Sequence, residues 1–225
     1  MATLTESTTF PLACESRFVL YGVGWAGYQA LLKIVGDHGP RLTYTRGNLE
    51  LMSPLFPHEG SSKRLGRMVE TIAEELEIPI RPVRSMTLSR EDLDRGLEPD
   101  ESYYIVNVGR IGNRIEFNFE VDPPPDLAIE VEITSGILDK LEIYAKLGVP
   151  ELWRFDGEIL TVLLLQANGV YDLSPRSFAF PFLPMDVVAQ FLLDPEISDE
   201  SRWIRTFRRW VRDVLLPIYR AARPE

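Results

Sequence analysis

Residues 125–156 read PDLAIEVEITSGILDKLEIYAKLGVPELWRFD, and this stretch decides how the chain folds. Leu127, Ile129, Val131 and Ile133 alternate with Ala128, Glu130 and Glu132, the period of two of a strand that gathers its large apolar side chains on one face. A helix is expected next, over residues 138–147. It carries Lys140, Ile143, Tyr144 and Leu147 along one face and Asp139, Glu142 and Lys146 along another, the spacing of side chains that are neighbours on a helix. A further strand follows at residues 152–155.

The charges in this stretch need a reason. Glu130 and Glu132 share the strand face opposite the apolar set, and an unpaired buried carboxylate is costly. They must therefore meet a cation, a hydrogen-bond network or water; an edge strand with one wet face is the simplest alternative. Lys140 lies on the packed side of its helix, where a lysine either snorkels or reaches a carboxylate, and neutralising a structural carboxylate would satisfy it. Upstream, Glu98, Asp100 and Glu101 stand just before an apolar run. A carboxylate at a strand end can converge with Glu130 if the two strands pair, although an acidic turn around Pro99 accounts for the others equally well. Two or three carboxylates around a divalent cation can activate water against a phosphodiester, and a lysine beside them can orient that water or neutralise developing charge. Asp100, Glu130 and Lys140 together suit this chemistry, with Glu132 assisting.

Outward from this core, helical spacing predicts a first helix over residues 24–35, a hairpin over 41–53 turning at Gly47, and a long amphipathic helix over 58–76 with Leu65, Met68, Val69, Ile72, Ala73 and Leu76 buried. Extended segments are expected at 78–90, 101–108 and 114–121, and a meander at 152–155, 159–165 and 170–173. Two helices close the chain, over 185–193 and 200–216. The second has Arg202, Arg205, Arg209 and Arg212 along one side with Arg208 beside them, either a phosphate-contacting stripe or, as is more usual, a solvated face or one paired with acidic surface. Strands and helices interleave without strict alternation, so the expected class is α/β in the mixed α+β sense: a mixed sheet flanked by helices. Residues 1–17 read as a flexible lead-in and 18–225 as one domain.

Composition narrows the chemistry. A formal charge of −10 argues against indiscriminate nucleic-acid binding, without excluding a local basic surface. With a single cysteine, Cys14, and two histidines, His38 and His58, a structural Cys/His zinc site lacks ligands. A metal here would be held by carboxylates, which favours magnesium, manganese or calcium. No apolar run is long enough to span a bilayer, and the N-terminal stretch lacks the basic-then-apolar pattern of a signal peptide. The expected compartment is the cytoplasm.

Several stretches in order resemble the Uma-two family of restriction-endonuclease-like proteins: LTYTRGNLELMSP at residues 42–54, His58-Glu59 opening a helix, LEPD at 97–100, PPPDLAIEVEITS at 123–135 and DKLEIYAKLGVPELWRFDG at 139–157. The resemblance covers roughly residues 25–173 and implies a PD-(D/E)XK nuclease core. Pro99-Asp100 would supply the aspartate and Glu130 the acidic residue of the next strand. The lysine usually found two positions on is replaced by Glu132, and the resemblance suggests one displaced to the helix, at Lys140. Glu59 would be the helix carboxylate that such folds often add to the metal site beside Asp100 and Glu130; a first-turn glutamate also favours the helix dipole without chemistry. The implied function is a magnesium- or manganese-dependent DNA endonuclease, and acting on two strands would suit a homodimer. The alternatives are a nuclease-fold protein that has lost catalysis and serves as a binding or regulatory module, or a nuclease for RNA or another phosphodiester.

Overall fold

The computed structural model describes residues 15–36, 39–194 and 198–222. Cys14 and His38 lie outside them, as do residues 1–14 of the expected lead-in. Ser16 and Arg17, assigned to that lead-in, instead belong to strand β1 (Ser16–Tyr21), which a sequence with weak alternation did not announce.

The strands of the described residues form two sheets. The first has five strands in the order β1-β3-β2-β6-β5, with β2 (Arg41–Thr45), β3 (Asn48–Ser53), β5 (Leu88–Arg90) and β6 (Arg95–Leu97). Arg46 and Gly47, at φ 46° and 80°, make the two-residue turn between β2 and β3, a geometry that matches the twist of paired strands. The second sheet runs β11-β10-β9-β8-β7-β4, with β4 (Arg81–Pro82), β7 (Glu101–Tyr104), β8 (Leu127–Val131), β9 (Glu151–Phe155), β10 (Leu160–Leu165) and β11 (Tyr171–Ser174). Its β8 and β9 are parallel and its other neighbours antiparallel. The fold is the expected mixed α/β class.

Strand β8 sits between β7 and β9 and is buried on both faces, so the edge-strand explanation of its glutamates is excluded. Leu127, Ile129 and Val131 pack with Leu65, Met68, Val69 and Ile72 of helix α2 (Phe56–Leu76). Ala128 packs on the other side with Ile143, Tyr144 and Leu147 of helix α4 (Lys140–Leu147), which also meets Leu88 and Leu97 of the first sheet. Helix α1 (Trp25–Val35) closes the far side of that sheet through Tyr28, Leu42, Tyr44 and Leu49.

Three sequence expectations change. Residues 114–121 form turns and not a strand: Tyr104, Phe117 and Phe119 stack face to face, with ring centroids 5.7 and 6.1 Å apart, so their alternation is satisfied by ring contact with no ladder. The strand expected over 101–108 stops at Tyr104, because buried Asp126 accepts hydrogen bonds from the backbone N–H groups of Ile105 and Asn107 at 2.7 and 2.9 Å and draws the chain into the short helix α3 (Val108–Ile111). The last helix is interrupted. Helix α5 (Met185–Leu192) and α6 (Glu200–Trp210) are followed by a π-helical turn, Val211–Leu215, and then by α7 (Leu216–Ala222). Pro217 has no N–H to donate, and a widened turn relieves its ring from the carbonyl one turn back. Among the arginines of this region, Arg208 and Arg212 pair with Glu74 and Glu75 of α2, the acidic-surface alternative, while Trp203, Phe207 and Val211 are core. No helix of the described residues is long and apolar enough to cross a membrane.

Gly96 marks the tightest approach of α1 to its sheet. A Cβ there would lie 2.3 Å from Tyr28 Oη and 2.8 Å from its ring, and Tyr28 is itself stacked on Tyr44 at 4.6 Å. Gly96→Ala is expected to lower the free energy of unfolding by about 1–3 kcal/mol in urea titrations; an unchanged midpoint would show that α1 yields freely.

Candidate active site

Glu130 points from β8 beneath the first turn of α4. Asp139 caps that helix, its side chain accepting the N–H of Glu142 at 3.2 Å, so Lys140 is the first helical residue. Helical Cα–Cβ bonds tilt toward the N-terminus, which sends the Lys140 side chain back over the strand end. Its Nζ lies 2.6 Å from Glu130 Oε2, and Tyr144, one turn later on the same face, donates its hydroxyl to Glu130 Oε1. Lys140 therefore reaches a carboxylate and does not snorkel, as its place on the apolar face required.

Asp100 is brought in by strand pairing. Glu101 of β7 stands opposite Ile129 of β8, so the next step of the ladder sets Asp100 opposite Glu130. Asp100 N–H donates to Ile129 O at 3.2 Å and Asp100 Oδ2 accepts Val131 N–H at 2.7 Å. Two further cations meet this carboxylate. Nε2 of His58, in the first turn of α2, is 3.3 Å from Oδ2, and Nε of Arg41, opening β2, is 3.2 Å from Oδ1. Arg41 also donates to Pro99 O at 3.2 Å and approaches Glu59 at 3.5 Å.

The electrostatics follow from this arrangement. Burial pushes the Asp100 carboxyl up, but His58, Arg41 and Lys140 outweigh it and hold it below the usual carboxylate range. Burial and the neighbouring Asp100 push Glu130 up against the pull of Lys140. Burial alone would lower Lys140 and His58; the facing carboxylates raise both, favouring their charged forms.

Glu59 and Glu132 are turned elsewhere. Glu59 is half-exposed and paired with Arg41. Glu132 accepts the Gly136 N–H at 2.9 Å and pairs with Arg154 of β9 at 2.8 Å. Among the described residues no group of three or more His, Cys, Asp or Glu forms a metal cage. The donor set nonetheless fits a magnesium-type ion held by one or two carboxylates, which keeps waters and substrate oxygens as its other ligands: Asp100 Oδ1 is buried and accepts no hydrogen bond, although Arg41 Nε faces it at 3.2 Å, and Glu130 stands across the ladder from it.

The cleft beside these groups has a volume of ≈ 320 Å³ and is lined by Glu130, Glu132, Lys140, Leu152 and Arg154 and by the loop residues Ser135 to Asp139. That loop is fixed from the first sheet. Buried Glu50 accepts the N–H groups of Ile137 and Leu138, both at 2.9 Å, and is itself held by Arg17 Nη1 at 2.5 Å. Arg17 also donates to Thr134 O at 2.9 Å.

Comparison with known proteins follows the same lines. The Uma2 family model, described as "Putative restriction endonuclease", matches residues 25–191, well over half of the chain. The chain belongs to the Uma2 family. The match extends past the motifs that carried the resemblance, through most of α5. A crystal structure from Anabaena variabilis ATCC 29413, described as "a putative nuclease belonging to DUF820", superposes with a TM-score of 0.52 at 17% identity, covering 73% of this chain and 98% of that one. At this identity the likeness is one of fold. No curated protein matches the chain.

Within this Uma2 chain the structure brings Asp100, Glu130 and Lys140 together. Two of their neighbours were not foreseen. Tyr144 was legible only as an apolar-face residue, although its i+4 spacing from Lys140 placed it over the same carboxylate. Arg41 carried no local signal, since it arrives from the other sheet. His58, seven residues before Leu65 and so in phase with the buried stripe of its helix, is buried and meets Asp100.

Removing the cation from Glu130 should be costly. Lys140→Met is expected to lose about 3–5 kcal/mol of stability at neutral pH, and Lys140→Met combined with Glu130→Leu less than that; a double-variant loss equal to the sum of the two single-variant losses would mean the pair is not coupled. On the α2 side, burial pushes the neighbouring Glu101 carboxyl from 4.5 up to about 7. The folded protein then keeps a proton that the unfolded chain releases, so this group's contribution falls as pH rises from 4.5 to about 7. Glu101→Gln should gain on the wild type by about 1–3 kcal/mol across that window in pH-dependent denaturation, and a constant difference would exclude the shift.

Proposed function

We propose that the protein is a divalent-metal-dependent endonuclease that hydrolyses DNA phosphodiester bonds. The observation that carries this reading is the meeting of Asp100 and Glu130 at one point of the β7–β8 ladder with Lys140 Nζ 2.6 Å from Glu130, in a chain of the Uma2 family. Asp100 and Glu130 would hold magnesium or manganese, which when bound supplies charge neutralisation and an activated water.

The chain's own residues prepare the site. Arg41 and His58 keep Asp100 ionised in a buried position. The Lys140 ammonium, fixed at the first turn of α4, orients the attacking water and offsets negative charge as it builds on the phosphoryl oxygens. Tyr144 holds the Glu130 carboxylate toward the cleft. The loop pinned by Glu50 closes one wall, so the reacting phosphodiester meets a preformed surface. Glu59 would need to leave Arg41 to join Asp100 as a ligand, and Glu132 serves the cleft wall in place of the metal. A cytoplasmic homodimer acting on both strands of a duplex is the assembly that suits this chemistry.

A second reading has its own observation. Both Glu130 oxygens are occupied by Lys140 and Tyr144, and Asp100 is faced by two cations, an internally neutralised site suited to a nuclease-fold protein that binds without cutting. The deciding experiment is nicking of supercoiled DNA by the purified protein with magnesium or manganese, beside Glu130→Gln. The nuclease reading expects metal-dependent nicking that falls by roughly 10²–10³ in the variant. Absence of nicking together with absence of metal binding by calorimetry would transfer the assignment to the binding-module reading.

A further inference from the structure

The cleft carries a cation that the reading above leaves unused. Arg154 lies on β9 directly in register with Glu130 on the parallel strand β8, so the two side chains project to the same face. Its side chain is 38% exposed and lines the cleft with Lys140. Lys140 is engaged by Glu130, whereas among the described residues the Arg154 guanidinium has one ion pair, with Glu132. Nη2 pairs with Glu132 Oε2 at 2.8 Å, and Nε is buried without an acceptor.

Glu132 is arranged to hold that guanidinium still. Its backbone N–H donates to Phe155 O at 2.8 Å, continuing the β8–β9 pairing. Its Oε1 takes the Gly136 N–H, which ties it to the cleft loop, and its Oε2 takes Arg154. A guanidinium offers five donors in a planar fork, so one anchored side leaves others for an anionic ligand with two oxygens. A phosphodiester has two non-bridging oxygens of this kind. The position at which a PD-(D/E)XK strand would carry its lysine thus holds, in this chain, a carboxylate that fastens an arginine from the next strand.

We propose that Arg154 binds the non-bridging oxygens of a phosphodiester in this cleft and that Glu132 is its positioning residue. The proposal rests on the nuclease reading for its substrate class and deepens it by naming the group that grips the substrate. Arg154 supplies charge and orientation, while Lys140 stays with Glu130 beside the reacting centre.

The test separates the two levels. Thymidylyl-thymidine, a single phosphodiester, is titrated into the metal-free protein while the arginine Nε–Hε signals are followed by NMR. The wild type should show a saturable shift of the Arg154 signal. Arg154→Gln should weaken binding about 10-fold with its melting temperature unchanged, and Arg154→Lys should restore part of it. Glu132→Gln should weaken binding less, and combining it with Arg154→Gln should weaken binding no further than Arg154→Gln alone, a non-additivity in affinity that a merely structural glutamate on the cleft wall would not produce. Equal affinity of Arg154→Gln and wild type overturns the assignment, as does the absence of any saturable shift in the wild type. The nicking assay fails or succeeds independently: a wild type that binds the dinucleotide through Arg154 but does not cut DNA keeps this proposal and removes the catalytic one.

Discussion

The structure depends on one buried carboxylate. Glu130 sits at the centre of a six-stranded sheet, with both faces of its strand covered, and it is tolerated there because Lys140 and Tyr144 reach it from successive turns of one helix. Desolvating a charge without such partners is more costly than most domains can bear. The pairing therefore fixes where α4 begins and how it lies on β8, and through that helix where the first sheet docks, since α4 packs on Leu88 and Leu97.

The same logic extends outward as a chain of satisfied charges. Asp139 caps α4, Glu50 binds the loop that leads into it, and Arg17 holds Glu50 from the edge strand β1. Each link takes a polar group out of water and answers it with a specific donor. An overall charge of −10 is thus a poor guide to the site. Arg41, His58, Lys140 and Arg154 concentrate positive charge where the two sheets meet α4. Each of these cations faces a carboxylate, Asp100, Glu130 or Glu132, so charge is locally balanced at the site although the chain as a whole is acidic.

Strand–helix–strand periodicity around residues 125–156 was sufficient to place β8, α4 and β9, because apolar spacing follows from local geometry. The face carrying Lys140, Ile143, Tyr144 and Leu147 was legible for the same reason. The 114–121 segment misled because alternating aromatic residues satisfy ring stacking as readily as a ladder, and β1 was missed because its alternation is weak and its partner strand lies some thirty residues away.

By itself the sequence determined the class of the fold, the family and the carboxylates and lysine that could act together; these are properties of spacing and residue type. Only the tertiary structure decided that β8 is an interior strand, that Glu132 faces Arg154 and not Asp100, and that Arg41 crosses from another sheet to meet Asp100. The reason is physical. Pattern along a chain encodes which face a side chain takes, but which charge it finds there depends on strand order and on contacts between residues as far as 137 positions apart, and no local periodicity carries that information.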